Sequence, residues 1–247
     1  STTFAHLHYI QMNKNNPHPE CHQCQVRFKS VFCDLGKEDL DTINNNKGCN
    51  TYQKGQIIFY EDAIPHGLFC INNGKVKVSQ AGEAGKEQIV RLAKEGDILG
   101  YRALLSGEKY SCSATALDTT SICFIPKQTF FGLIDKNANL SKEILKLLSH
   151  DLRKAEHKIT DLAQKPVRER LAEALLFLKE TYGLEPDDAT LDVVLSREEI
   201  ANIVGTATET TIRLLSEFKQ DKMIDLKGKK ITFLNLPSLI KTANIND

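Results

Sequence analysis

Apolar and polar positions change rhythm three times along the chain. Leu35, Leu40 and Ile43 recur at helical spacing, which predicts a short helix over residues 34–44. From Asn50 the rhythm shortens. Residues 52–59 read as a turn and then a strand. Leu68 to Ile71 and then Val76 and Val78 flank Asn72-Asn73-Gly74, and Asn-Gly between apolar runs predicts a β-hairpin. Residues 88–92, 98–100, 111–117 and 122–125 add short strands separated by turns, the pattern of a small β-barrel or jelly roll.

From Asn139 the period becomes helical again. Leu145, Leu148, Leu152, Ala155, Ile159 and Leu162 alternate intervals of three and four, with Lys146, Asp151, Arg153, Lys154, Glu156 and Lys158 around them. So narrow an apolar stripe predicts a two-helix dimer seam. Pro166 ends this helix, because proline lacks the donor that helix continuation needs. A further amphipathic helix over 168–182 stops at Gly183.

The third change lies near the C-terminus. Ser196 and Glu199 have capping-box spacing, Ile200, Ile203 and Val204 form an apolar face, and Gly205 supplies a left-handed stop. A second helix starts at Thr206 or Thr208 and runs through Ile212, Leu214, Leu215 and Phe218. Two strands, 223–226 and 230–234, meet at Gly228. This is a winged helix-turn-helix. Such a motif lays its second helix in the major groove with the N-terminal side chains at base edges. Thr208, Glu209, Thr211 and Arg213 stand at that end. Arginine can donate twice to guanine and glutamate can accept from cytosine. Arg197, Thr206 and Lys219 suit phosphates. Ile212 is expected to face the core. The alternative is ordinary helical packing with solvated charges.

Composition changes this picture little. The 247 residues leave room for two cores, and 41% hydrophobic with 26% charged residues is ordinary for a soluble chain. Formal net charge is zero, so no global field draws the protein to nucleic acid or membrane, and DNA binding must rest on local features. No apolar run approaches a membrane span, and the N-terminus lacks a signal pattern, which predicts a cytoplasmic protein without membrane partners. Residues 1–20 read as a flexible polar tail containing His6, His8 and His18, with His22 beside it. The expected division is a tail at 1–20, a sensor at 21–135, a dimerisation helix at 136–165 and a DNA-binding domain at 166–247. No phosphate loop, nucleophile elbow or paired-histidine helix is present, which argues against an enzyme.

Several motifs in order resemble the Crp/Fnr family of transcription regulators: Lys54 to Phe59, Asn73-Gly74-Lys75-Val76-Lys77-Val78, Gly96-Asp97-Ile98-Leu99-Gly100, and Thr208-Glu209-Thr210-Thr211-Ile212-Arg213. The resemblance implies an α+β fold: an N-terminal β-roll like a cyclic-nucleotide-binding jelly roll, a long dimerisation helix and the winged helix-turn-helix. It implies a homodimer on a pseudo-palindromic site in double-stranded DNA, with RNA polymerase as a partner. Cyclic-nucleotide members carry a glutamate and an arginine where this chain has Tyr101 and Ser111, so cyclic nucleotide is not expected by the usual mode. Arg102 is expected on the other side of the turn.

The oxygen-sensing members, which this chain resembles more closely, hold a [4Fe–4S] cluster on an N-terminal cysteine group and one β-roll cysteine. Among the seven cysteines, Cys21-x-x-Cys24 and Cys123, within Ile122-Cys123-Phe124-Ile125-Pro126, match that pattern. The family's third N-terminal cysteine falls where this chain has Lys29 and Ser30; the next cysteine is Cys33. Three readings stay open: a cluster on Cys21, Cys24, Cys33 and Cys123; a thiol–disulfide switch or zinc with a histidine such as His22; or ordinary thiols. Cys70 and Cys112 read as core residues, and Cys49 as a loop residue without a partner. The oxygen-sensing type interrupts its seam with a charge. Leu152 and Ala155 offer none, so a constitutive dimer is expected. The rival function is a ligand- or metal-binding module whose winged helix contacts protein.

Overall fold

The computed structural model describes residues 20–82 and 85–244; His6, His8 and His18 and nearly all of the expected tail lie outside them. The first half is a β-roll of two antiparallel four-stranded sheets. One orders β1 (Gly48–Tyr52), β8 (Thr120–Pro126), β3 (Gly67–Asn73) and β6 (Ile98–Leu99). The other orders β2 (Ile57–Phe59), β7 (Ser113–Ala116), β4 (Lys75–Ala81) and β5 (Glu87–Lys94). Strand alternation sends Ile58, Ile71, Val76, Val78, Ala114 and Ile122 into the space between them. α1 (Lys37–Asn46) and α3 (Lys127–Lys136) cover the roll with Leu40, Ile43, Phe130 and Leu133.

One expectation fails here. Asn73-Gly74 does not close a hairpin, because β3 and β4 belong to different sheets. Gly74 turns the corner between them at φ +103°, and a Cβ there would lie 2.5 Å from Thr120 Oγ1 and 2.7 Å from Thr120 Cα. The glycine answers to this close approach as well as to turn geometry.

α4 (Ala138–Gln164) has 27 residues and is about 40 Å long at 1.5 Å per residue. Asn137 caps it by accepting from the Asn139 and Leu140 amides. Leu140 and Ile144 are buried against the roll. The expected seam points outward: Leu145, Leu152 and Ile159 are 62%, 62% and 68% exposed in the single chain. Ala155 and Leu162 join them, whereas Leu148 is half-buried against the roll core.

Pro166 separates α4 from α5 (Val167–Tyr182), which ends at Gly183 with φ +78°. Leu171, Leu175 and Leu178 of α5 are buried, each stabilising the domain by roughly 1.5–3 kcal/mol. They meet α6 (Arg197–Val204), α7 (Thr208–Gln220), the hairpin of β9 (Ile224–Lys227) and β10 (Lys230–Phe233), and α8 (Leu236–Ala243), which sequence reading did not anticipate. This core continues into the roll through Ile89, Leu92 and Leu117. Polar contacts reinforce the junction. Lys77 Nζ lies 3.0 Å from Glu87 and 3.3 Å from Glu199, Lys158 donates to the Ile203 carbonyl, and Gln88 donates to the Asn202 carbonyl. Gly205 sits against the far end of α4, so that a Cβ would lie 2.7 Å from Leu162 Cδ2.

Candidate DNA-reading helix and thiol cavity

Ser196 and Glu199 form the expected capping box: Ser196 Oγ accepts from the Glu199 amide at 3.0 Å, and Glu199 Oε2 accepts from the Ser196 amide at 2.8 Å. Gly205 is left-handed at φ +74° and turns the chain into α7. That helix starts at Thr208, one of the two expected positions, and Ala207 stands at the cap without a side-chain bond.

The phase of α7 then decides which side chains can reach a groove. Thr211, Leu214, Leu215 and Phe218 recur at helical spacing on the buried face. Thr211, expected as a reader, is 0% exposed and donates to the Ala207 carbonyl at 3.3 Å. Ile212, expected in the core, is 48% exposed. It shares the outer face with Glu209, Arg213 and Ser216. The two adjacent positions exchange roles because the helix phase is set by Leu214, Leu215 and Phe218. Thr208 is half-buried at the start of the helix.

Arg213 Nη1 donates to Glu217 Oε1 at 2.6 Å, while the other Glu217 oxygen accepts from Arg168 at 2.7 Å. Arg213 is therefore paired with an acidic group on its own helix. Lys219 is held by Asp225 at 2.8 Å. Arg197 donates to the Gly228 carbonyl at 2.8 Å and ties the wing to α6, and its Nη1 is buried without a hydrogen-bond partner. Thr206 is half-buried in the turn. Sequence reading passed over Lys227 and Lys229, exposed on either side of the wing turn; the signal was the basic run Lys227-Gly228-Lys229-Lys230.

A small cavity of about 40 Å³ lies in the roll, bordered by Arg91, Tyr101, Arg102, Tyr110, Ser111 and Cys112 among others. Arg102 is among the bordering residues and is itself exposed. Tyr101 is buried and donates to Asp151 Oδ2 on α4, and Arg91 lies 3.5 Å from the same oxygen. Burial, then the Asp151 carboxylate, pushes the Tyr101 phenol up to about 12, against the opposing pull of Arg91. Burial alone pushes Tyr110 up to about 12.

The second cavity, about 70 Å³, lies between the N-terminal segment and the β1–β8–β3 sheet. Cys21 reaches it from a short 3-10 turn at Cys21–Gln23, Cys24 from the junction with a second at Gln25–Lys29, and Cys70 and Cys123 from β3 and β8. Ser30 faces it too, its hydroxyl donating to the Arg27 carbonyl at 2.7 Å. Cys33 does not line it; burial and the neighbouring Asp34 raise its thiol pKa. His22 is also elsewhere, 2.6 Å from Asp41. Cys70, read as core, packs against the roll core and also lines the cavity, and Cys112 is buried in the roll core.

Cys49 is on β1 rather than in a loop, directly opposite Cys123, with the sulfurs 3.1 Å apart. Cys70 is opposite Cys123 on its other side. The two sulfurs share one S–H···S contact. That bond lowers the Cys49 thiol to about 7, with help from Lys47 and against the effect of burial. The same contact, with burial, raises Cys123. Among the described residues, no three His, Cys, Asp or Glu side chains converge on a single metal ion.

Residues 49–137 match the cyclic nucleotide-binding domain family and residues 169–242 the Crp-like helix-turn-helix domain. The chain is similar to the fumarate and nitrate reduction regulatory protein of Vibrio cholerae, at 30% identity over 92% of this chain and 91% of that protein. The Escherichia coli K12 protein of that name is 31% identical over 90% of each chain. FixK2 from Bradyrhizobium japonicum shares the fold, with a TM-score of 0.71 at 22% identity over 81% of this chain and 99% of that one. A Crp/Fnr-family regulator from Thermus thermophilus shares it at a TM-score of 0.69 and 24% identity, over 81% of this chain and all of that one. These relatives are regulators rather than enzymes, and among the described residues no helix is long and apolar enough to cross a membrane. By identity and coverage, with both domains in order, the chain belongs to the Crp/Fnr family of DNA-binding transcription regulators.

Proposed function

We propose that this regulator binds a pseudo-palindromic site in double-stranded DNA as a homodimer and answers to redox chemistry at its thiol cavity. The observation that carries the reading is the outer face of α7: Glu209 and Arg213 are exposed on a helix whose opposite face is buried, at the end that enters a major groove. Lys227 and Lys229 on the wing suit phosphates, as do Lys219, which reaches the wing strand at Asp225, and Thr206 in the turn before α7. The exposed Leu145, Leu152, Ala155, Ile159 and Leu162 supply the dimer seam.

The sensor reading rests on donor chemistry. Soft thiolates suit a [4Fe–4S] cluster, typically four of them. Cys21, Cys24 and Cys123 would hold it, with Cys70 as the fourth thiol on the cavity wall in place of Cys33, which does not line the cavity. A cluster there supplies electron-transfer and oxygen-reactive chemistry, while Lys47 on the same cavity offsets thiolate charge. Tyr101, bonded to Asp151 beside a 40 Å³ cavity, argues against cyclic nucleotide as the signal. RNA polymerase is the partner that membership in this family favours.

Two measurements test the reading. Anisotropy titrations of operator-length duplexes should show a steep inverse dependence on salt, because phosphate neutralisation releases counterions; a flat response would favour protein contacts by the winged helix. Protein purified without oxygen should contain iron and sulfide and absorb as a cluster; colourless, iron-free protein removes the cluster.

A further inference from the structure

Three cysteines sit side by side across adjacent strands: Cys49 on β1, Cys123 on β8 and Cys70 on β3. Residues directly opposite in an antiparallel pair have Cα atoms about 4.5 or 5.5 Å apart, according to the ladder position. Both values lie inside the roughly 4.4–6.8 Å range of disulfides. The Cys49 and Cys123 sulfurs already stand 3.1 Å apart, so a bond requires only that they close by about 1 Å, to the ordinary length of about 2.0 Å. Both residues are half-buried rather than enclosed.

We propose that Cys49 and Cys123 form a reversible disulfide across β1 and β8 when the metal-free protein meets a peroxide. One sulfur of the pair, as thiolate, attacks a peroxide oxygen. The O–O bond breaks, a sulfenic acid forms and the departing hydroxide leaves as water. The second sulfur attacks the sulfenic sulfur, the S–O bond breaks, and hydroxide leaves as water with the second thiol proton. Two thiols lose two electrons and two protons, and one peroxide becomes two waters. The bond withdraws Cys123 from metal ligation, so disulfide and cluster exclude each other. That exclusion rests on the redox reading above; the disulfide itself stands whether or not a cluster binds.

The test uses full-length, metal-free protein treated with equimolar hydrogen peroxide, alkylated and mapped by mass spectrometry. The expected result is loss of two of the seven alkylatable thiols and a linked peptide pair containing Cys49 and Cys123, reversed by dithiothreitol. Cys49→Ser and Cys123→Ser each abolish the link, and Cys33→Ser leaves it. A Cys70–Cys123 or Cys21–Cys24 link instead, oxidation stopping at a sulfinic acid, or seven intact thiols overturns the proposal. The wild-type map decides it without relying on variant folding. Absence of iron in anaerobic protein bears only on the cluster, and absence of the cross-link bears only on the disulfide.

Discussion

Tyr101 donates its phenolic hydrogen to the Asp151 carboxylate and so joins the β-roll to α4. Arg91 approaches the same carboxylate oxygen, making a three-residue polar cluster between β5, α2 (Tyr101–Ser106) and α4. Hydrogen bonds to charged groups contribute about 1.5–3 kcal/mol. Tyr101→Phe should therefore lower unfolding stability by about that amount, seen as a lower urea midpoint at unchanged slope. A cycle with Asp151→Asn should show coupling. Additive effects would mean that the two groups do not share an interaction.

The same phenol predicts an alkaline weakness. Tyr101 and Tyr110 hold their protons up to about 12 in the fold, against 10 for an unperturbed phenol. Above 10 the unfolded chain loses protons that the folded chain keeps, so stability is fully present below 10 and falls as pH rises toward 12. Tyr110→Phe should make that decline shallower in denaturation curves across this range. An unchanged slope would remove Tyr110 from the account.

On DNA, Arg213→Ala should cost about 1–3 kcal/mol and relax preference at one base pair, measured against a panel of single-base operator variants. Uniform weakening across the panel would assign Arg213 to phosphate. Thr211→Ala, by contrast, should leave the preference profile unchanged, because Thr211 is buried.

Gly74→Ala should destabilise the roll by at least about 2 kcal/mol, from left-handed strain together with collision against Thr120. Thermal unfolding would register it. A neutral result would mean that the corner between the sheets can open.

Leu152→Asp should give a folded monomer by size-exclusion with light scattering. The side chain is largely exposed in the single chain, so the charge meets an apolar partner only in the dimer. A dimer that survives would place the interface elsewhere.

Much of this architecture was legible because its signals are local. Ser196, Glu199 and Gly205 mark α6 by short-range chemistry, and alternation marked most strands. Non-local facts were hidden. Asn73-Gly74 looks the same whether the chain returns to its own strand or crosses to another sheet, and only the contact with Thr120 distinguishes the two. Thr211 and Ile212 were exchanged because a one-residue error in phase turns a helix by about 100°. Cys49 and Cys70 acquire meaning only from the register that sets each opposite Cys123. Asp151 looked like one more solvated charge, and its partner lies fifty residues away on Tyr101.

Leu162 has two faces: it is exposed on the outer apolar stripe of α4 and closes against Gly205. In the proposed dimer it would stand between the partner helix and the turn that aims α7. The distance between the two reading helices must match half-sites about 34–36 Å apart on DNA. That spacing is then set where α4 ends, so a change in how the two helices cross alters which operators the dimer can span without altering any base-reading side chain.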